Sequence, residues 1–300
     1  MEVTPQRPGW PEPARLPLPE HVQQLAARAR RVRTPCGEGS MLWHVWGEGA
    51  AGRQAPLVLL HGGSGSWLHW VRNIEDLRAQ GREVWAADLP GFGDSAVPPA
   101  GSDADALVEP LAKGLRQLFG SQACDLVGFS FGGLTAGLLL AAHPRLARRL
   151  VLVGAPAMGV VPRPQFELRA WRHLPAAQQL EIHRHNLAAL MLQDPAAIDA
   201  EDGLALAVHV TNVLRDRMPR RRLAHTDALA RALPALRCPV HAIYGRGDAI
   251  YRGWIAALEG AFARAAPDFR GLQLIADAGH WVQFERPGAF LDALLVALAE

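Results

Sequence analysis

Gly128-Phe129-Ser130-Phe131-Gly132 frames a serine between glycines, ends a short apolar run that begins at Cys124, and precedes a helix-forming stretch from Leu134 to Ala142. Strand, tight turn and helix is the context in which G-x-S-x-G makes a nucleophile elbow. The turn holds the serine in a strained backbone, so residues two away on either side must lack side chains. Gly128 and Gly132 meet that need, and Gly133 lets the helix pack close to the strand. Ser130 is then expected at the carboxyl edge of a sheet, with Phe131 N–H available to an oxyanion. Glycine is common enough in this chain for the five-residue pattern to arise by coincidence, so partners for the serine decide the matter.

An alkyl hydroxyl is a poor nucleophile at neutral pH. It needs a base within hydrogen-bond reach, and the base needs a carboxylate to fix its tautomer and stabilise its cation. With an elbow, the expected chain order is serine, acid, histidine. Asp248 follows the apolar run Val240 to Tyr244, and His280 lies just past another, Leu272 to Ile275. Both fall at strand ends, where catalytic groups gather in open α/β sheets. Ser130, Asp248 and His280 are therefore the expected catalytic set. A turn aspartate between glycines or a lone loop histidine would each be ordinary alone; the order and placement of all three make the case.

Competing carboxylates fit less well. Asp125 lies within the serine's own strand and cannot reach round to the histidine, while Asp277 is close enough to His280 to shape its turn instead. Asp88 and Asp94 sit on a loop where structural roles are favoured. Serine at 130 excludes mechanisms that need a carboxylate nucleophile there. Charge developing on a carbonyl oxygen also needs donors, and His61-Gly62-Gly63 follows a buried apolar run. Gly63 N–H is expected to be the second oxyanion donor beside Phe131 N–H.

The elements that must position these groups alternate regularly. Met41 to Trp46 reads as an antiparallel edge strand before a Gly-Glu-Gly turn, and Leu57 to Leu60 and Val84 to Ala87 as strands buried on both faces. His21 to Arg31, Trp67 to Gln80 and Ala104 to Phe119 read as helices, with the turn-rich loop Asp88 to Ser95 between the last two. Leu150 to Val153 is a further strand. From Ala157 to Pro234 the rhythm breaks into helical stretches alone, such as Ala176 to Leu192 and Leu204 to Arg217. It resumes at Val240, with Tyr251 to Ala266 a helix and Pro287 to Ala299 a closing amphipathic helix. Strands alternating with helices at this spacing predict a parallel sheet, and the helical interruption reads as a lid.

Bulk properties narrow the setting. A net charge of +2 over 300 residues gives no argument for nucleic acid or an anionic membrane. No stretch of eighteen apolar residues occurs, and the proline-rich first twenty residues lack the apolar core of a signal peptide. Cys36, Cys124 and Cys238 are odd in number and lack metal-ligand spacing; Cys124 and Cys238 open apolar runs and read as buried free thiols, which fits a reducing interior. His183 and His185, two apart on a helical stretch, point in different directions and make no metal pair. A cytoplasmic protein with a small-molecule substrate is expected, without metal, nucleic-acid or membrane partner. Composition leaves monomer and homodimer open.

Together the HGG segment, D-L-P-G-F-G-D-S, G-F-S-F-G-G, G-R-G-D and G-H-W resemble the α/β-hydrolase superfamily from about Met41 to the C-terminus. The resemblance implies an α/β fold: a mostly parallel eight-stranded sheet, helices on both faces, and a helical lid inserted after the sixth strand. The expected division is a tail at 1–20, a core at 21–156 and 235–300, and a lid at 157–234. Trp70-Val71-Arg72-Asn73-Ile74 and His280-Trp281-Val282-Gln283-Phe284-Glu285 are similar to segments of the meta-cleavage-product hydrolases, which split carbon–carbon bonds in vinylogous β-diketones. Phe129 stands where that subgroup has asparagine, and Leu206 to His209 occupy the place of its carboxylate-gripping lid arginine, a role open to Arg220, Arg221 or Arg222. Trp67, Phe129 and Trp281 are the expected substrate-binding residues, flanking the motifs. The expected activity is cofactor-independent hydrolysis of a carboxylic ester. Carbon–carbon hydrolysis ranks second, and a non-catalytic ligand receptor is the reading from another class.

Overall fold

The apolar run at residues 57–60 shows how the sheet is built. Successive side chains point to opposite faces: Val58 and Leu60 enter one apolar core, Leu57 and Leu59 the other. All four are fully buried, as a strand covered on both faces requires. The computed structural model describes residues 9–47, 54–162, 166–218 and 220–299. Residues 1–8 of the proline-rich segment and most of the expected Gly-Glu-Gly turn lie outside these.

Among the described residues eight strands form one sheet: β1 (Arg30–Cys36), β2 (Gly39–Trp46), β3 (Leu57–Leu60), β4 (Val84–Ala87), β5 (Cys124–Phe129), β6 (Ala147–Val153), β7 (Val240–Gly245) and β8 (Phe269–Ile275). Their order is β1-β2-β4-β3-β5-β6-β7-β8; β2 pairs antiparallel with β1 and β4, and every other neighbour pair is parallel. Among the described residues ten helices accompany them: α1 (Glu20–Ala27), α2 (Ile74–Ala79), α3 (Val108–Phe119), α4 (Phe131–Ala142), α5 (Ala176–Asn186), α6 (Ala200–Val213), α7 (Ala228–Ala232), α8 (Leu258–Ala265), α9 (Val282–Glu285) and α10 (Pro287–Ala299). The core on one face takes Leu111 of α3, Leu134 of α4, Leu229 of α7 and Phe262 of α8. The other takes Val22 of α1, Ile74 of α2, Val208 of α6 and Phe290 of α10. Helices thus cover both faces. Between β6 and β7 the described residues form helical segments and no strand.

Several local expectations need correction. Residues 30 and 31 leave the helix expected at His21 to Arg31 and open β1, so β2 is the second strand and β1 the edge. β1 suits an edge: Arg30, Arg31 and Arg33 are exposed, and Pro35 interrupts the outer hydrogen bonding. Trp67 to Gln80 is a 3₁₀ turn at Trp67–Trp70 followed by α2, because Asn73 turns its side-chain amide to Gln283 O at 2.9 Å. Gly253, at φ +77°, breaks Tyr251 to Ala266 into short 3₁₀ turns before α8. The three cysteines are free and buried.

Asp125 has a structural task. Fully buried in β5, it accepts from Arg82 and from Arg148 Nε at 2.7 Å and forms an ion pair with Arg149, whose Nε lies 3.3 Å away. Arg82 is also buried, whereas the Arg148 side chain is 43% exposed. Removing the central carboxylate leaves buried guanidinium groups uncompensated, whereas the exposed partner is held in water at little gain. Asp125→Ala should lower the unfolding free energy by about 3–5 kcal/mol. Arg148→Ala should change it by less than about 1 kcal/mol. Urea unfolding of both variants checks this, and equal effects would refute the asymmetry.

Candidate active site

The turn between β5 and α4 holds Ser130 at φ +50° and ψ −119°, a region that a residue with a side chain enters only under constraint. Its N–H donates to Val153 O at 2.7 Å, and its carbonyl accepts from Gly133 and Leu134 N–H. A Cβ on Gly128 would lie 2.6 Å from Gly132 O, and one on Gly132 would lie 2.5 Å from His61 O. Neither site admits a side chain. Phe131 opens α4, where a helix leaves its first amides without intrahelical partners.

Loops after β7 and β8 bring Asp248 and His280 to the same turn. His280 Nδ1 lies 3.0 Å from both Asp248 carboxylate oxygens, and Ser130 Oγ lies 2.8 Å from His280 Nε2. Asp248 also accepts Ile250 N–H at 2.9 Å. Asp248 and His280 are buried, so this chain of bonds is shielded from bulk water. Nδ1–H donating to the carboxylate leaves Nε2 to accept the serine proton.

Three further polar groups set the loops. His61 Nδ1–H donates to Gly62 O at 2.7 Å and its Nε2 accepts Leu89 N–H at 2.9 Å, tying the glycine loop to the loop after β4. Asp88 accepts Trp67 N–H at 3.0 Å and Asp94 N–H at 2.9 Å. Glu285, in α9, accepts the amides of Gly279, Gln193 and Asp194 at 2.6, 2.8 and 3.0 Å, docking the His280 loop onto the segment after α5. Burial pushes the Glu285 carboxyl up, against those three amides.

Ser130 and His280 open into a cavity of about 720 Å³ whose walls include Gly63, Phe129, Phe131, His69, His209 and Arg221. A model of the alpha/beta hydrolase family matches residues 57–293. The chain belongs to that family. It is 30% identical over 269 residues to 2-hydroxymuconate semialdehyde hydrolase of Pseudomonas sp. (strain CF600), covering 83% of this chain and 89% of that one. A 2-hydroxy-6-oxononadienedioate/2-hydroxy-6-oxononatrienedioate hydrolase of Pseudomonas sp. is 26% identical over 256 residues, 81% and 87% of the two chains. Among solved structures, carboxylesterase CesB (YbfK) of Bacillus subtilis superposes with a TM-score of 0.69 at 18% identity over 93% of this chain and 96% of that one, a likeness of fold.

The site of this hydrolase differs from expectation at two tryptophans. Trp67 packs with His44 and Trp46, ring centroids 5.3 Å from each, and lies outside the cavity wall. Trp281 stacks on Phe284 at 4.1 Å and donates to His69 O at 3.0 Å, also outside that wall. Both support the site from behind; a tryptophan beside a motif reads the same in either role. Phe129 does line the cavity, with its ring 5.1 Å from His280. His183 is buried against Trp171 and His209, and His185 is half-buried elsewhere on α5. Among the described residues no group of three metal-ligating side chains is placed to hold an ion.

Of two further wall residues, His69 was not singled out from the sequence, and Arg221 was one of three arginines open to a carboxylate-gripping role. His69 accepts Gly62 N–H on Nδ1 at 3.2 Å, so its proton sits on Nε2; the only signal was a polar residue inside Trp67-Leu68-His69-Trp70. Arg221, in an arginine run that resembles a solvated face, instead bonds Asp216 at 2.6 Å and Ser64 Oγ at 3.1 Å beside Gly63.

Burial drives the His61 pKa down to about 4, His69 well below its ordinary value, and His209 to about 3; the His183 value, also lowered mainly by burial, falls to about 4. Unfolded, each would bind a proton near pH 6.5. The unfolded state therefore takes up protons first as pH falls, and stability must drop below about 6.5 and keep dropping towards 4. Urea unfolding free energy should decline between pH 7 and 5, each histidine adding up to about 1.4 kcal/mol per pH unit. A flat profile over that range would contradict neutral burial of these imidazoles.

Proposed function

We propose that the protein is a serine hydrolase that cleaves a carboxylic ester of a small, largely apolar substrate through an acyl-enzyme. The observation that carries this reading is the continuous Ser130–His280–Asp248 hydrogen-bond chain, at 2.8 and 3.0 Å, on a strained turn. Ser130 Oγ attacks the carbonyl carbon as His280 Nε2 takes its proton. Asp248 holds the Nδ1–H and stabilises the cation. Phe131 and Gly63 N–H groups receive the developing oxyanion. His280 returns the proton to the leaving alcohol, then activates the water that releases the acid. This sequence of steps needs no cofactor.

Residues 157–234 act as the lid over a core of 21–156 and 235–300. Trp171, His209 and Arg221, all from that segment, wall the same cavity as Ser130. Phe129, Met158, Val161 and Val213 make much of the wall apolar, which favours an apolar acyl or aryl group.

Carbon–carbon hydrolysis is the second reading, favoured by the identity to 2-hydroxymuconate semialdehyde hydrolase and by the Arg221 cation in the cavity wall. Arg221 is already engaged by Asp216 and Ser64, and Phe129 brings no polar group beside the serine. Those two facts rank ester chemistry first. A strained serine bonded to a carboxylate-oriented histidine argues against a non-catalytic receptor.

Wild type should turn over p-nitrophenyl acetate, with Ser130→Ala slower in kcat by about 10⁴-fold or more and Asp248→Asn by about 10⁴-fold. Equal rates for wild type and Ser130→Ala would end the catalytic assignment. Comparing kcat/KM for esters and ring-cleavage dienones ranks the two enzyme readings; a dienone preference of several orders of magnitude would put carbon–carbon hydrolysis first.

A further inference from the structure

The proline-rich segment before α1 lies outside the family match, which begins at residue 57, yet it reaches the cavity. Gln179 of α5 is fully buried and clasps this segment. Its side-chain oxygen accepts Ala14 N–H at 2.8 Å, and its amide donates to Glu12 O at 3.3 Å and Leu174 O at 2.7 Å. At the other end, Gln23 donates to Leu18 O at 2.7 Å, and Leu16 and Leu18 pack on the core beneath. Pro11, Pro13, Pro17 and Pro19 fix φ at four of the nine positions between Pro11 and Pro19, so the segment loses little freedom when it is pinned.

Pinned this way, the segment delivers Trp10 to the cavity wall, together with Phe166 and Leu168. Trp10 is half-buried and Leu168 is 49% exposed, whereas His280 is buried. Residues that touch both the cavity and bulk water mark its mouth. An indole on a stiff mount at an apolar mouth meets the part of a substrate farthest from the reacting carbonyl. A stiff mount adds contact without the ordering loss of a mobile loop.

We propose that residues 9–19 fix Trp10 as a wall of the substrate site, and that Trp10 is a specificity-determining residue that selects substrates with an extended apolar acyl or aryl group. Gln179 is a positioning residue that acts through Trp10. The proposal rests on the serine-hydrolase reading for its substrate class.

The test compares p-nitrophenyl octanoate with the acetate. Trp10→Ala should lower the octanoate-to-acetate ratio of kcat/KM about tenfold, equivalent to about 1.4 kcal/mol, with the loss carried by KM. Trp10→Phe should restore most of it. Gln179→Leu and a chain lacking residues 1–15 should both shift the ratio in the same direction as Trp10→Ala. Ratios within about twofold of wild type in Trp10→Ala and in the shortened chain would overturn the proposal. Binding of intact octanoate ester to Ser130→Ala, with and without Trp10→Ala, reads the wall without turnover. If wild type hydrolyses neither ester, the hydrolase reading fails, while a tenfold weaker Kd in the double variant still upholds the wall and an unchanged Kd refutes it.

Discussion

Ser130 occupies a backbone conformation that its own chemistry disfavours by about 1–3 kcal/mol, and the surrounding fold exists in a form that leaves it no other. The φ of +50° is held from one side by the Ser130 N–H bond to Val153 O on the neighbouring strand. From the other, Gly133 and Leu134 N–H fix its carbonyl at the start of α4. Room for the turn comes from Gly128 and Gly132, whose hydrogens meet backbone of Gly132 and of the loop after β3. The register of β3, β5 and β6 therefore enters the position of one hydroxyl. A parallel sheet buried on both faces resists sliding, because a one-residue slip would move a whole apolar set to the wrong core.

From that fixed point the site is completed by buried polar ties between loops. His61 joins the glycine loop to the loop after β4, Asp88 joins that loop to Trp67, and Glu285 joins the His280 loop to the helical segment beyond β6. Such groups are costly to leave unpaired in a dry interior, so each tie is effectively all or none. Loops that would otherwise be the mobile part of an α/β protein are thereby held so that Ser130, His280 and Asp248 stay within hydrogen-bond distance.

What was legible in the sequence follows from the same physics. Ser130, Asp248 and His280 each follow an apolar run that forms a strand, and chain order then restricts the pairing. Strands buried on both faces announce themselves as apolar runs, so β3 to β7 were readable, whereas β1, alternating arginines with buried Thr34 and Cys36 and carrying Pro35, was not. Trp67 and Trp281 adjoin the right motifs but do not line the cavity, and no local pattern distinguishes a wall from its backing. The partnership of Gln179 with Ala14 spans 165 residues and leaves no trace in either neighbourhood. Arg221 was obscured by its flanking arginines, since what distinguishes it is Asp216 and Ser64, neither adjacent in the chain.

The histidines show how one interior assigns different tasks to identical side chains. His61 and His69 use a ring nitrogen to accept a backbone amide, from Leu89 and Gly62, and His183 and His209 face each other's rings across 5.2 Å. None of these environments favours an added positive charge, and burial holds all four neutral. His280 is buried as deeply as His61 and His69, yet it faces both oxygens of the Asp248 carboxylate on one side and a hydroxyl on the other. A carboxylate stabilises an imidazolium that forms transiently, while neutral imidazoles around it add no competing cation to the cavity. The same desolvation that keeps the supporting histidines uncharged strengthens the bond from His280 to Asp248. Burial of these side chains therefore serves both parts of the arrangement: it keeps the histidines that hold the loops uncharged and strengthens the polar contact between His280 and Asp248.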